Sequence, residues 1–218
     1  MRGVFRSFCL LLAMSTSACS APEAAMNAES SNPDSAPSTA ELEAKYKRNP
    51  APKQVYRIEL KVADAPGPFG KAEGFLRYEA PDCGYMPDPI AGVIMHPTIL
   101  LPVEFGKVDE NTFAATIYAD AMVNEDYLGK GVCHWKLMSV NSWLKATGAK
   151  TDIRYVTNLD GDEARAQEPL TTYYVKDEYP GSDPEGRSDQ GNQNRSWFKP
   201  EFQNQLFTIT IVAKAGTP

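Results

Sequence analysis

From residue 54 to residue 215 the chain repeatedly alternates apolar and polar side chains at a period of two. In "QVYRIELKVA" (54–63), Tyr56, Ile58, Leu60 and Val62 fall on one side, with Arg57, Glu59 and Lys61 on the other. An extended chain sends successive side chains to opposite faces, so this pattern specifies a strand with one buried face. The pattern recurs in "AEGFLRYEA" (72–80), after the Pro/Gly turn "DAPGPFG", and in "ILLPVEFGKV" (99–108) and "TFAATIYAD" (112–120), which flank "DENT" as a hairpin. It recurs again in "GVCHWKLMSV" (131–140), "DIRYVTN" (152–158), "LTTYYVK" (170–176) and "NQLFTITIVAKA" (204–215). Pro102 lacks an N–H to give to a ladder, which places its strand at an edge or a bulge. Only "AMVNEDYLGK" and "NSWLKATGA" could hold a helical turn or two. Many short strands separated by Gly/Pro turns predict an all-β domain. The architecture expected is an antiparallel two-sheet β-sandwich of about eight or nine strands, pinned by one disulfide.

Two stretches break the pattern. Residues 20–50, "SAPEAAMNAESSNPDSAPSTAELEAKYKRNP", are almost free of large apolar side chains. Such a composition cannot bury enough surface to offset its ordering entropy, so 19–50 reads as a flexible tether. Its coil span is about 30 Å. Residues 51–218 form one domain by size, long enough to bury about 70% of the surface its unfolded chain exposes. Within it, "DEYPGSDPEGRSDQGNQNRSWFKP" (177–200) is long and polar between two strands. Loops of that length are functional or disordered.

The N-terminus assigns a compartment. Arg2 and Arg6 precede an apolar run from Phe8 to Met14, then the small residues Ser15, Thr16, Ser17 and Ala18. This order matches a secretory signal peptide over 1–18. The run is far shorter than the roughly 20 residues a membrane span needs. Cleavage after Ala18 by ordinary signal peptidase is one route. The other follows from Thr16-Ser17-Ala18-Cys19, which resembles a lipobox, with Thr16 where Leu is usual. Cysteine arithmetic favours the second. Of Cys9, Cys19, Cys83 and Cys133, the first leaves with the signal, and a free Cys19 would leave an odd number in an exported protein. Acylated Cys19 leaves Cys83 and Cys133 to pair in a disulfide, the alternative being two buried thiols. By similarity to other lipoproteins, Ser20 implies a periplasmic protein held by lipid in the inner leaflet of the outer membrane.

The charge balance narrows the partners. The whole chain carries 22 basic and 28 acidic residues, a net charge of −6. That argues against nucleic acid, which asks for a basic patch, and suits a basic partner. No GxSxG, HExxH or phosphate-binding loop occurs. His96 precedes a proline in a loop, and His134 faces away from Cys133 and Trp135. Nothing here calls for a cofactor or metal. "NLDGDEA" (158–164) offers Asn158, Asp160 and Asp162 as calcium ligands but lacks EF-hand spacing, so a tight Asp-Gly turn explains it better. Loop carboxylates occur at Asp109-Glu110, Glu125-Asp126, Asp160/Asp162/Glu163 and Asp183/Glu185/Asp189. A pair of these could serve a glycosidase mechanism.

Trp143, Trp197, Phe198, Tyr127 and Tyr179 lie in or beside the expected loops, and Trp and Tyr are favoured interface anchors. The stretches "YADAMVNEDYLGKGVCHWKL" (118–137) and "PDCGYMPDP" resemble small Gram-negative lipoproteins that accompany secreted antibacterial effectors as immunity proteins. That resemblance implies a non-enzymatic binding protein that inhibits a secreted effector, such as a basic hydrolase acting on the envelope. The residues expected to bind the partner are Glu125, Asp126, Tyr127, Tyr179, Asp183, Glu185, Arg187 and Trp197. Two other readings stand beside it: an envelope scaffold or glycan-binding lipoprotein, and a hydrolase using loop carboxylates.

Overall fold

The computed structural model describes residues 44–87 and 89–217. The signal segment, Cys19 and most of the expected tether lie outside them. The chain is all-β, with strands β1 (Val55–Ala63), β2 (Lys71–Glu79), β3 (Thr98–Lys107), β4 (Thr112–Tyr118), β5 (Lys136–Lys145), β6 (Arg154–Asp160), β7 (Leu170–Val175), β8 (Ser188–Asp189) and β9 (Leu206–Ala215). One short helix, α1 (Gly161–Ala166), and two 3-10 turns complete the elements.

The alternation read from the sequence is realised in the core. Along β9, Phe207, Ile209, Ile211 and Ala213 are fully buried, and Ile58 and Leu60 of β1 face them from the neighbouring strand. Burying each such Ile, Leu or Phe contributes about 1.5–3 kcal/mol. Tyr78, Tyr155 and Tyr174 are also fully buried, and each hydroxyl donates to a backbone carbonyl, of Tyr118, Glu178 and Val156 respectively. Those bonds remove the cost of taking a phenol out of water.

The architecture departs from the expected sandwich. All nine strands belong to one sheet, in the order β7-β9-β1-β4-β3-β2-β5-β6-β8, and the sheet curls until it is nearly closed like a barrel. Two devices make the difference. The β3–β4 hairpin keeps only two register pairs, Gly106↔Ala114 and Lys107↔Phe113, yet these suffice to join two halves that would otherwise be separate sheets. Pro102 is paired on the β2 side, opposite Phe75, and β3 lies between β4 and β2 rather than at the sheet edge expected; β4 pairs only with Gly106 and Lys107, so the proline faces no paired strand on that side. At the other seam, β8 pairs in parallel with β6. Three residues on, Tyr173 of β7 and Asn192 exchange two backbone hydrogen bonds of 2.8 and 3.0 Å. The sheet is therefore mixed rather than purely antiparallel. Period two is the same for a sandwich and a barrel, because both bury one face of every strand.

Four smaller corrections follow. "NSWLKATGA" begins as strand: β5 runs to Lys145, with Trp143 paired opposite Glu73 and Val156. The strand expected from 131 starts at Lys136, although Cys133, Trp135 and Leu137 are buried as anticipated. "NLDGDEA" ends a strand and opens α1, where the Asp160 N–H donates to Glu163 Oε2 at 2.8 Å in a helix-start motif. The ordered domain also begins before residue 51. Tyr46 is only 2% exposed, the Val123 N–H donates to the Lys47 carbonyl, and the Asn49 N–H donates to the Ala121 carbonyl.

Candidate binding site

Strand polarity sorts the connections into two ends. Val55 pairs with Tyr118, Glu79 with Thr98 and Lys136, and Ser139 with Asp160. Residues 46–54, 80–97, 119–135 and 161–169 therefore gather at one end. Segments 64–70, 108–111, 146–153 and 176–205 gather at the other. The eight expected partner residues divide between them: Glu125, Asp126 and Tyr127 lie at the first end, and Tyr179, Asp183, Glu185, Arg187 and Trp197 at the second.

At the first end the chemistry is internal. Cys83 and Cys133 form the expected disulfide, with Cα atoms 5.3 Å apart. Tyr46 makes edge contacts with Tyr127 and Trp135, and the Tyr127 hydroxyl donates to the Val123 carbonyl at 2.8 Å. Glu125 forms an ion pair with Lys47 at 2.7 Å. Asp126 accepts from the N–H groups of Leu128, Lys130 and Gly131, and these bonds hold its carboxyl below the usual carboxylate range. His134 and Asp82 pair at 2.5 Å beside the disulfide.

The second end carries an open groove, built by the long polar segment. Hydrogen bonds along its whole length order it. Ser182 bridges Asp152, and the Asp183 N–H donates to the Thr151 carbonyl at 2.8 Å. Asp183 also accepts from the N–H groups of Glu185 and Gly186, which makes a turn of this acidic pair. Tyr179 packs on Phe69 and Phe207 and donates its hydroxyl to the Pro68 carbonyl, so it braces the segment. Gly191 sits at φ +54°, and a Cβ there would lie 2.5 Å from the Tyr173 carbonyl oxygen. Asn194 caps the final 3-10 turn, accepting from both the N–H and the hydroxyl of Ser196.

The result is a cleft of about 280 Å³ lined by Tyr174, Val175, Glu178, Arg187, Asp189, Gly191, Asn192, Trp197 and Phe198. Arg187 and Glu178 pair across it at 2.5 Å. Burial pushes the Asp189 carboxyl above the usual range, although the Gly191 N–H and the Arg187 guanidinium oppose the shift. Trp197 stands 74% exposed at the rim. It also borders a second, more open hollow of about 450 Å³ with Gln190, Gly191, Asn192, Gln193 and Asn194. Exposed indole, amides and carboxylates on one surface suit a polar ligand or a protein surface.

Of the expected residues, Arg187 and Trp197 line this groove. Glu178 and Asn192 were not singled out from the sequence, and no spacing marks them; they reach the groove because β7 ends and the segment folds back along β6. Trp143 is not a loop anchor. It donates its Nε1–H to Glu73 at 3.2 Å, with Arg154 over its ring. Among the described residues no group of three or more His, Cys, Asp or Glu side chains could hold a metal ion.

Fold and groove together define an all-β, disulfide-bonded protein with an aromatic, charged groove at one end of its sheet. No family model, curated protein or solved structure matches the chain.

Proposed function

We propose that this chain is an acylated periplasmic binding protein that inhibits a secreted antibacterial effector, and that the groove at the 176–205 end grips it. The observation that carries the reading is the position of Trp197. A large indole stands exposed beside the Arg187–Glu178 pair on a segment held by backbone bonds, at the end opposite the one where the chain enters the domain. Trp and Arg are the residues that dominate interface energies, and a pre-ordered segment loses little entropy on binding. The net charge of −6 adds steering toward a basic effector.

The test is capture from the host's own secreted and periplasmic proteins. The parent protein should retain one dominant hydrolase and suppress its turnover, and the Trp197→Ala/Arg187→Ala variant should lose at least about tenfold in affinity. Equal capture by both would remove the groove from the reading.

The amide row Gln190, Asn192, Gln193 and Asn194 beside Trp197 favours a second reading, an envelope glycan. Sugars stack on indole faces and exchange paired hydrogen bonds with amides. Calorimetric titration with peptidoglycan fragments separates the two: heat that disappears in Trp197→Ala, with no protein captured, moves the assignment to a glycan-binding lipoprotein.

A further inference from the structure

The first end of the sheet carries the most apolar exposed surface of the described chain. Residues 84–87 and 89–96 leave the disulfide as the two arms of a narrow hairpin, closed where Tyr85 and Met95 exchange backbone bonds of 2.9 and 2.8 Å. Beyond that closure Ile90 is 98% exposed, Ile94 62% and Val93 56%, with Met86 and Met95 nearly half exposed. The segment "MPDPIAGVIM" (86–95) contains one charged residue, Asp88. Single exposed aliphatic residues are ordinary, but five on one projection mark a contact surface. Val132, on the neighbouring loop behind Cys133, is also half exposed.

The path of the chain says what covers it. Residues 46–49 lie against 121–123, Glu125 bridges Cys133, and Cys133 is bonded to Cys83 at the root of the hairpin. The N-terminal chain thus joins the domain at the end that carries the apolar projection. Only 24 residues separate Cys19 from Ala44, a coil span of about 25–30 Å for the tether composition. If lipid holds Cys19, this end is the one within reach of the bilayer.

We propose that the 84–96 hairpin is a membrane-contacting tip, whose Ile90, Val93 and Ile94 enter the boundary between headgroups and acyl chains. The inference rests on the reading of Cys19 as the lipid anchor. Anchor and tip then act together at one end of the domain. The acyl chains supply retention, while the tip sets orientation and turns the Trp197 groove toward the periplasm.

The test uses the acylated full-length mature protein on vesicles of phosphatidylethanolamine and phosphatidylglycerol with brominated acyl chains. Ile90→Trp reports the tip, and Val108→Trp, an exposed position at the opposite end, is the control. With the emission of the parent protein's Trp135, Trp143 and Trp197 subtracted, the proposal expects the added emission of Ile90→Trp to be quenched several-fold more than that of Val108→Trp. Equal quenching overturns it. The same pair in a Cys19→Ser chain separates anchor from tip. Flotation that vanishes without acylation, with selective quenching in the acylated form, supports both. Selective quenching of the Cys19→Ser protein, where mass spectrometry of the native protein finds no acyl group, supports the tip and removes the anchor. In the Ile90→Trp protein, adding Val93→Asp/Ile94→Asp so that self-association in sedimentation is abolished while the quenching is unaltered makes the hairpin a self-contact and overturns the proposal.

Discussion

The two ends of this sheet hold irregular chain by different means. At the disulfide end a covalent bond and three aromatic rings, Tyr46, Tyr127 and Trp135, fix the loops from inside, and an apolar projection is left outside. At the groove end no covalent link binds the long segment. Backbone bonds to Thr151, Ile153, Arg154 and Tyr173 hold it, with Tyr179 packed on Phe69 and Phe207 beneath, and its outer surface is polar and charged. The contrast teaches how a small sheet can offer two unlike surfaces. Side-chain polarity outside is free to vary wherever order comes from the disulfide and rings, whereas a segment ordered by its own polar groups presents them to whatever it meets.

The contrast can be broken from either side. The largest effect is expected at the disulfide. The Cys83→Ser/Cys133→Ser protein should lose about 4 kcal/mol in urea unfolding, the chain-entropy value for a 50-residue separation. Amide exchange should rise first in 80–97 and 119–135; an equal rise in 176–205 would mean the two ends are not independent. Next, Tyr46→Ala removes a ring that is 2% exposed and should cost about 3 kcal/mol. Proteolysis should then reach residues 44–50 while the groove keeps its ligand. At the groove end, Gly191→Ala meets both a positive φ and the Tyr173 carbonyl and should cost about 2 kcal/mol, with ligand binding lost at the same time.

A smaller effect follows from Asp152, whose carboxylate anchors the 147–152 loop under the groove. Burial pushes this carboxyl up, but bonds from the Thr147 and Gly148 N–H groups and the Thr147 hydroxyl outweigh it and hold it below the usual range. Its contribution is complete above the unfolded carboxylate value of about 3.9 and is lost as pH falls through the lower folded value. Asp152→Asn should therefore flatten the loss of stability in that acid window, measured by thermal melts across pH. The smallest stability change is expected at Trp197. Trp197→Ala should shift unfolding by less than about 0.5 kcal/mol while weakening capture of the partner proposed for the groove. Asp189→Asn sharpens the same point in the opposite direction. Its carboxyl is raised by burial, so neutralising it should raise the melting temperature at neutral pH even as binding weakens.

Much of this fold is legible in the chain. Eight of the nine strands follow from period two, because a half-buried sheet leaves that pattern wherever it forms. β8 was not legible: two residues, Ser188 and Asp189, carry no period, and only β6 beside them makes a strand of them. Tyr46 was hidden for a related reason. It lies in a run of small and charged residues, and its burial comes from Tyr127 and Trp135, distant in sequence. In the groove, Trp197 and Arg187 were legible as an exposed aromatic and a charge in a polar insert. Glu178 and Asn192 were not, since their use depends on the insert folding back along the seam. Ile90, Val93 and Ile94 were not legible either, since a short apolar run reads alike whether buried or exposed, and here it stands outside.

The sequence by itself determined the strand class and the core face of the strands that alternate, and it pointed to the Cys83–Cys133 pair, because alternation and cysteine arithmetic are local or countable. Only the tertiary structure decided that the strands make one curled sheet, that the expected binding residues divide between opposite ends, and that an apolar hairpin is left in solvent. Those outcomes depend on which edges meet and which loops share an end, and pairing across a hundred residues leaves no period in the chain to read.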